Sequence, residues 1–275
     1  MQENKIVVGL DIGGSTTKVI GFKAKQLLNE VYVKSNDPIA AAYGGLGKFL
    51  IVNKLSIEDV CKICLTGVGA SYIDKNLLNC ETIIANEFEA VGLGGLYISG
   101  LKEAIVVSVG TGTSLIYSSL NKTEHIIGSG VGGGTVLGLS SKIINYRDFD
   151  LIDDLASNGD LSQVDLLVGD IAKSVPGLSL DATASNFGNV NDNASNEDLA
   201  SAILNLVFQS IGTSAVLASR LFNINDIVIV GSVGQAEQAK KTLRQFEELY
   251  SVNVFFPEKA KFSTAIGAAL SGSNL

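Results

Sequence analysis

The sequence is short of the residues on which disulfide-stapled and zinc-bound proteins depend. It contains no tryptophan, one methionine, one histidine, three prolines and three cysteines in 275 residues. Three cysteines are too few for the framework of a small secreted protein, and one histidine leaves few ligands for zinc. Hydrophobic residues make up 46% and glycines number 30, which excludes a disordered chain and indicates a compact α/β protein with tight turns.

Positive charge is also scarce. The net charge of -8 would repel a nucleic-acid backbone, and the sequence contains no basic stripe that would override it. The chain enters a strand pattern directly after residue 5, so we expect no signal peptide, and we see no apolar run long enough to span a bilayer. We therefore predict a cytoplasmic protein that binds neither nucleic acid nor membrane, although backbone donors can still hold a small anion.

Cys61 and Cys64 have the CxxC spacing that occurs in redox pairs and in half of a zinc site. Residues 60–67, however, have the pattern of a buried strand that ends at a glycine turn. Residues three apart in a strand lie on opposite faces, so these two thiols cannot easily share a metal or a disulfide. We interpret both, and Cys80, as structural cysteines.

Two segments share a strand–turn–strand pattern. Residues 7–20 read VVGLDIGGSTTKVI and residues 105–117 read IVVSVGTGTSLIY. In each, a β-branched run enters a turn of glycine and hydroxyl residues and a second apolar run leaves it, which predicts a β-hairpin. Glycines at the tip let backbone N–H groups approach an anion. Because Asp11 stands where a Mg²⁺ ion would be held, the pair predicts two phosphate clamps facing each other across a cleft.

Three further glycine clusters fit a nucleotide cleft. Residues 128–135 (GSGVGGGT) lead into an apolar helix, whose first turn would offer unpaired N–H groups to an anion. Residues 230–234 (VGSVG) and 65–70 (LTGVGA) each end a buried strand. Any one of them could be an ordinary turn, but all fall at strand ends that would converge on one crevice. None matches the P-loop spacing.

The remaining pattern alternates strands with helices, which predicts largely parallel sheets with covered faces. We expect strands near 5–11, 17–22, 28–34, 60–66, 82–84, 226–230 and 252–256. We expect helices near 38–54, 134–145, 149–157, 162–173, 196–222, 235–249 and 265–270, with another from Asn86. The short boundary near residue 100 divides the chain into halves of 1–100 and 101–275. Residues 174–196 are the least regular and suggest a lid or a partner-facing loop.

Several segments together resemble one known family. The two hairpins and the turn at residues 229–232 (IVGS) look like the phosphate and adenosine motifs of the acetate and sugar kinase/Hsp70/actin superfamily. Within it, the chain is most similar to the type II (eukaryotic-like) pantothenate kinases. The more specific segments are NEFEA (86–90), GGGTVLGL (132–139), ASNGD (156–160), SNFGN (185–189) and FSTAIGA (262–268). The resemblance covers residues 5 to about 271.

The resemblance implies duplicated ribonuclease-H-like (actin-like ATPase) domains around a central nucleotide cleft. It also implies ATP- and Mg²⁺-dependent phosphorylation of pantothenate to 4'-phosphopantothenate, the first step of coenzyme A biosynthesis. The family further suggests a homodimer and inhibition by coenzyme A thioesters. Two other interpretations stay open: a kinase of the same fold that acts on an amino sugar or another small alcohol, and a nucleotide-binding sensor that transfers no phosphate.

The family's functional residues map onto this chain position by position. Glu87 matches the general base, since a carboxylate beside an alcohol can accept its proton, and Asp11 matches the Mg²⁺-side carboxylate, acting through water. Lys18 would add positive charge near the transferred phosphate. The expected nucleotide contacts are Gly13, Gly14, Ser15, Thr16, Thr17, Lys18, Gly110, Thr111, Gly133, Gly134, Thr135, Val136, Leu137, Phe149 and Ser232. The expected pantothenate contacts are Thr111, Ser114 and His125.

His125 is a departure from the family pattern, which has an arginine at this position on the carboxylate side of pantothenate. Arginine is permanently charged and forks onto a carboxylate, whereas histidine near neutrality is largely uncharged. Weaker substrate binding, a cation from another group and a different acceptor are the three possible consequences. A surface histidine in a shifted loop is the structural alternative.

Overall fold

The computed structural model describes residues 5–14, 16–74 and 76–273. Its strands are β1 (Ile6–Ile12), β2 (Thr16–Lys23), β3 (Gln26–Leu27), β4 (Val31–Lys34), β5 (Val60–Thr66), β6 (Thr82–Ile84), β7 (Glu103–Val109), β8 (Thr113–Ser119), β9 (Thr123–Ser129), β10 (Leu166–Leu167), β11 (Thr183–Ser185), β12 (Asp226–Val230) and β13 (Asn253–Phe255). Its helices are α1 (Pro38–Asn53), α2 (Glu87–Ser99), α3 (Gly133–Ile143), α4 (Phe149–Ala156), α5 (Val168–Ile171), α6 (Asn196–Phe222), α7 (Glu237–Tyr250) and α8 (Ser263–Ser271).

Two sheets repeat one strand order. The first runs β3-β2-β1-β5-β6, with β4 also paired to β2, and the second runs β9-β8-β7-β12-β13. In the first, β1 is antiparallel to β2 and parallel to β5. In the first sheet β2 and β3 therefore lie on one side of β1, and β5 and β6 lie on the other. In the second sheet β8 and β9 lie on one side of β7, and β12 and β13 lie on the other. This repetition is the duplicated ribonuclease-H-like fold that the family resemblance implied.

The chain forms two compact units. The first contains residues 1–106, 116–125 and 257–275, and the second contains residues 107–115 and 126–256. This division differs from the predicted halves at residue 100, because α8 returns to the first unit and packs on α2, β1, β2 and β5. Small side chains allow this return, since Ala265, Ala268 and Ala269 are fully buried there.

In the first unit the sheet is covered on both faces. Leu46 and Phe49 of α1 pack against Leu10 and other apolar residues of β1 on one face. On the opposite face, α2 and α8 cover the alternate residues, such as Cys64. The strand alternation therefore decides which side chains of β1 and β5 face α2, and this face carries the candidate site described below.

In the second unit α6 packs against α3, α4, α7 and β12. By length and composition α6 could cross a membrane. Polar residues such as Asn205 and Gln209 interrupt it, so it is not an uninterrupted apolar run of the kind that we expected to be absent. Buried residues make up 67% of its most apolar window, which is what the core helix of a folded domain also shows.

Most predicted elements are confirmed, but the helix expected at 162–173 is wrong. Residues 161–163 form one 3-10 turn, β10 follows at residues 166–167, and α5 is only four residues long. Asp165 interrupts the helical pattern because its side chain is buried and accepts hydrogen bonds from elsewhere. The expected strand at 28–34 is shorter, at 31–34, and β9 was not predicted because its polar residues and Gly128 hide its alternation.

Candidate active site

Three polar side chains form a row across the first sheet. Asp11 near the end of β1 pairs in register with Lys18 of β2 and with Thr66 of β5. Residues that pair in register project from the same face, and here it is the face covered by α2 and α8. Lys18 Nζ lies 3.3 Å from Asp11 Oδ2, and Asp11 is only 8% exposed. Two of the predicted site residues, Asp11 and Lys18, are thus brought together.

The turn between β1 and β2 confirms the first predicted hairpin. Gly13 N donates a hydrogen bond to Thr16 O at 2.9 Å, which closes the turn, and Gly14 is exposed. Ser15, expected to contact phosphate, lies outside the described residues. Thr17 is fully buried on the other face of β2, towards α1, so its side chain does not join Asp11 and Lys18.

Gly67 lies directly beside the Asp11 carboxylate. Its φ of +85° lies in the region that favours glycine, and a Cβ atom there would stand 2.8 Å from Asp11 Oδ1 and 2.6 Å from Ile12 O. A side chain at this position would therefore displace the carboxylate. The glycine cluster at residues 65–70 thus shapes the aspartate site rather than only turning the chain.

Glu87 is the first residue of α2. Asn86 caps this helix, since its Oδ1 accepts a hydrogen bond from Glu89 N at 3.1 Å. The residue is solvent-accessible, yet partial burial of its carboxyl group raises the pKa of Glu87, and the charge of Asp11 raises it further while Lys18 lowers it. A glutamate with a raised pKa is a better general base near neutral pH, because its conjugate acid is weaker.

The raised pKa of Glu87 predicts the pH dependence of turnover. If Glu87 is the general base that the sequence predicts, it works only when ionised, so kcat/KM should fall as the pH drops through a value above the usual glutamate range. Because the charge of Asp11 adds to the effect of burial on this pKa, Asp11→Asn should move the acidic limb to lower pH. A pH–rate profile of both proteins tests this, and an unmoved limb in the variant would contradict the coupling.

Glycines let α2 sit unusually close to α8. A Cβ atom at Gly94 would lie 1.9 Å from Ser263 O, and one at Gly267 would lie 1.7 Å from Ala90 O. Glycine costs about 1 kcal/mol relative to alanine in a helix interior, so this composition is explained by close packing rather than by helix propensity. The contact at Ala90 fixes the first turn of α2, and with it the backbone of Glu87.

A pocket of about 450 Å³ lies beside the first turn of α2 in the same unit. His125 stands at its wall and stacks on Phe88, with ring centroids 3.8 Å apart and an interplanar angle of 16°. Lys122 in the wall pairs with Glu124 at 2.5 Å, and Glu89 also lines the space. His125 is thus an ordered residue of a pocket, and sequence reasoning missed the partner Phe88 and the β8–β9 turn that completes the wall.

In the second unit the turn at residues 110–112 rests on the start of α3. Gly110 N donates to Gly112 O, and the N–H groups of Gly133 and Gly134 donate to the carbonyls of Gly110 and Thr111, each at 2.9 Å. The prediction of unpaired N–H groups at the start of this helix is therefore wrong for Gly133 and Gly134. These donors hold the hairpin turn instead of an anion.

The other predicted residues of the second unit lie on well-defined turns. Gly231, which precedes Ser232, has a φ of +89°, and a Cβ atom there would lie 2.3 Å from Val109 O. Val136 is buried inside α3, while Gly134 is exposed and Thr135 and Leu137 are half-buried. Phe149 opens α4 and is half-buried, Thr111 is exposed and Ser114 is half-buried.

The SNFGN segment is anchored by a buried carboxylate. Asp165 is fully buried and accepts hydrogen bonds from Phe187 N at 2.9 Å, from Asn186 Nδ2 at 3.3 Å and from Asn205 Nδ2 at 2.8 Å. Thr183 Oγ1 donates to it as well, at 3.1 Å. A buried charge needs such partners, so Asp165 fixes the path of this loop. Its helix-like sequence context gave no sign of this role.

Metal-ligating side chains do not cluster within the described residues: no three of His, Cys, Asp and Glu come together there. The Asp11 carboxylate with the orphaned hydroxyl of Thr66 beside it nevertheless suits Mg²⁺, a hard cation that keeps several waters and takes few carboxylates. The three cysteines are free thiols, and burial raises the pKa of Cys64 to about 12. The burial of Cys64 and Cys80 supports the structural role that was predicted for these two thiols.

Comparison with known proteins gives one family. The Fumble family model matches residues 102–271, more than half of the chain. The "Type II pantothenate kinase" of Staphylococcus aureus strain bovine RF122 / ET3-1 is 30% identical over 273 residues, which cover 95% of this chain and 97% of the relative. The kinase of the same name from strain Mu50 / ATCC 700699 is also 30% identical, over 277 residues.

Solved structures share the fold at lower identity. Component A of (R)-2-hydroxyglutaryl-CoA dehydratase from Acidaminococcus fermentans has a TM-score of 0.70 at 18% identity and covers 97% of each chain. A ROK family glucokinase from Streptomyces griseus, in complex with glucose and AMPPNP, has a TM-score of 0.58 at 14% identity and covers 97% of this chain and 98% of its own. At these identities the likeness shows the fold alone.

Proposed function

Since the chain belongs to the Fumble family of type II pantothenate kinases, we propose that it transfers the γ-phosphoryl group of ATP to the primary hydroxyl of pantothenate. The product is 4'-phosphopantothenate, and the reaction is the first step of coenzyme A biosynthesis. The observation that carries the proposal is the carboxylate pair of the first unit. Asp11 is ion-paired with Lys18, and burial together with the charge of Asp11 raises the pKa of Glu87.

Glu87 acts as the general base. The pantothenate oxygen attacks the γ-phosphorus, the bond from that phosphorus to the bridging oxygen breaks, and ADP leaves with the bonding electrons. The hydroxyl proton passes to the Glu87 carboxylate. Phosphoryl transfer needs mainly positioning and charge neutralisation. The protein therefore has to supply little more chemistry than one base held in place on a rigidly packed helix.

The nucleotide is bound by the glycine turns. We assign one phosphate to the turn of Gly13 and Gly14 with Ser15, Thr16 and the backbone of Thr17, and another to Gly110 and Thr111. The start of α3 holds the second turn in place through Gly133 and Gly134. Thr135, Val136, Leu137, Phe149 and Ser232 complete the nucleotide contacts in this proposal.

We assign to Asp11 the binding of Mg²⁺ through water, with Lys18 near the transferred phosphate. When bound, the cation neutralises charge on the phosphates of ATP. The described residues support this assignment in two ways. The absence of a side chain at Gly67 leaves space for the carboxylate, and the ion pair with Lys18 orients Asp11 before the nucleotide arrives.

The acceptor is bound by Thr111, Ser114 and His125. The pocket beside Phe88 gives His125 a fixed ring, because the stacked phenyl group holds it. Lys122 is the neighbouring cation, but Glu124 already neutralises it. Pantothenate therefore meets weaker positive charge here than an arginine would supply.

Replacing His125 with arginine should lower the KM for pantothenate about tenfold, because one additional charge-assisted hydrogen bond to the carboxylate is worth roughly 1.4 kcal/mol. The Phe88 ring can still stack on a guanidinium, so kcat should stay within about twofold. Steady-state kinetics with varied pantothenate measure both constants. His125→Gln, which adds no charge, is the control, and an unchanged KM in His125→Arg would place the carboxylate elsewhere.

The family also motivates the assembly and regulation that we propose. The protein is a cytoplasmic homodimer, and coenzyme A thioesters inhibit it by competing at the acceptor side. Sedimentation of the purified protein, and initial rates with added acetyl-coenzyme A, test these two statements. A monomer at micromolar concentration, or rates insensitive to the thioester, would remove them without affecting the kinase assignment.

The function is tested by one assay with three parallel reactions. Purified protein is incubated with ATP and Mg²⁺, together with pantothenate, N-acetylglucosamine or no acceptor, and the products are identified by mass spectrometry. Phosphopantothenate alone is expected. Phosphorylated sugar would favour the amino-sugar kinase, and nucleotide binding without any phosphorylated product would favour a sensor.

A further inference from the structure

Thr66 has a buried hydroxyl that nothing in the described part of the chain satisfies. Its side chain is 1% exposed, and Oγ1 has no hydrogen-bond partner among the described residues. Leaving a buried hydroxyl unpaired destabilises the folded state, so such a group in a native protein calls for an explanation. Because the Thr66 hydroxyl has no hydrogen-bond partner among the described residues in this conformation, we expect it to gain one in another conformation of the protein.

The neighbours of Thr66 identify that partner. Thr66 pairs in register with Asp11, so both side chains project from the same face of the sheet. On its other side Asp11 contacts Lys18 at 3.3 Å. The carboxylate thus stands between a cation that already contacts it and a hydroxyl that does not.

The ion pair must loosen for turnover. If Lys18 contacts the transferred phosphate and Asp11 holds hydrated Mg²⁺, each side chain also interacts with another charged group. The ion pair between Lys18 and Asp11 must then weaken. Asp11 is 8% exposed, so bulk water cannot freely replace the lost contact. A carboxylate that loses its lysine partner in such a place needs a new donor close by.

We propose that Thr66 is a positioning residue, whose hydroxyl donates a hydrogen bond to the Asp11 carboxylate when Mg²⁺ and nucleotide draw Lys18 away. The inference rests on the proposed kinase function. Hydrogen bonds from residues behind the ligands orient the groups around a metal, and their loss typically weakens metal affinity about 10- to 100-fold. Gly67, next in the chain, keeps the carboxylate close to this strand end because a side chain there would push it away.

The test compares ADP binding by calorimetry in EDTA and in Mg²⁺. The ratio of the two dissociation constants measures the coupling between cation and nucleotide, and it is independent of turnover. In Thr66→Val, which keeps the shape and removes the hydroxyl, the coupling should fall about tenfold while the Kd in EDTA stays within about twofold. Thr66→Ser, which restores a hydroxyl, should recover it to within about threefold.

Ser201→Ala is the matched control, because Ser201 in α6 also has a buried hydroxyl without a partner among the described residues. It should leave the coupling unchanged. If Thr66→Val does not fold, Thr66→Ala against Thr66→Ser decides the same question. Equal coupling in Thr66→Val and wild type, an equal loss in Thr66→Ser, or an equal loss in Ser201→Ala would each overturn the proposal.

The wild-type data separate this inference from the kinase assignment. A wild-type protein that neither binds ADP nor phosphorylates pantothenate overturns the proposed function and the role of Thr66 with it. A wild-type protein that does both, with a normal cation coupling in Thr66→Val, overturns the role of Thr66 alone.

Discussion

Replacing Glu87 with glutamine should lower kcat for pantothenate phosphorylation by about 10²- to 10⁴-fold, the usual contribution of a general base. The substitution keeps the size of the side chain and its place in the first turn of α2, so the fold should not change. What is lost is the acceptor for the hydroxyl proton. The measurement is the steady-state rate at saturating ATP and pantothenate.

The affinity for ADP decides whether Glu87 is a base or a binding residue. In Glu87→Gln the Kd for ADP should stay within a few-fold of wild type, because the nucleotide contacts that we propose are elsewhere. Glu237→Gln is the matched control, since Glu237 is likewise the first residue of a helix and pairs with Lys240 on the surface. Loss of ADP binding in Glu87→Gln, or an equal loss of rate in Glu237→Gln, would contradict the base assignment.

Asp11→Asn should weaken the apparent affinity for Mg²⁺ about 10- to 100-fold, since in our proposal this carboxylate acts through water and is therefore an outer-shell group. The amide also leaves Lys18 without a charged partner in a site where both side chains are largely buried. Turnover at limiting Mg²⁺ should therefore fall much more than turnover at saturating Mg²⁺. Magnesium titrations at fixed ATP measure this difference.

Asp192→Asn serves as the comparison for Asp11→Asn, because it removes the same charge from an exposed position in the loop before α6. Its Mg²⁺ dependence should match that of wild type. A proportional loss at every Mg²⁺ concentration in Asp11→Asn would mean that the aspartate supports the fold or the base rather than the cation.

Local sequence signals predicted the hairpins, α2 and its first residue well. A β-branched run followed by glycine and threonine is a strong signal for a hairpin. Asn86 before Glu87 and Glu89 is a signal for the start of a helix. Gly13 and Asp11 could be placed on the turn and the strand for the same reason. The duplicated sheet was expected from the family resemblance, which the repeated hairpin helps to carry.

Long-range packing explains what the sequence could not predict. Thr66 joins Asp11 only through the register of β1 and β5, which no local pattern records. Asp165 sits in a segment that resembles a helix, but four hydrogen bonds from distant parts of the second unit determine its conformation. The donors of Gly133 and Gly134 looked free because their acceptors come from the hairpin turn, far away along the chain.

The central claim is that this chain moves a phosphoryl group from ATP to pantothenate. Phosphorus NMR of the wild-type protein with MgATP and pantothenate tests it most directly, because the spectrum shows donor, product and by-product in one sample. We predict a new phosphomonoester resonance that grows in equal amount with ADP. ADP accompanied only by inorganic phosphate, with pantothenate unchanged, would contradict the claim.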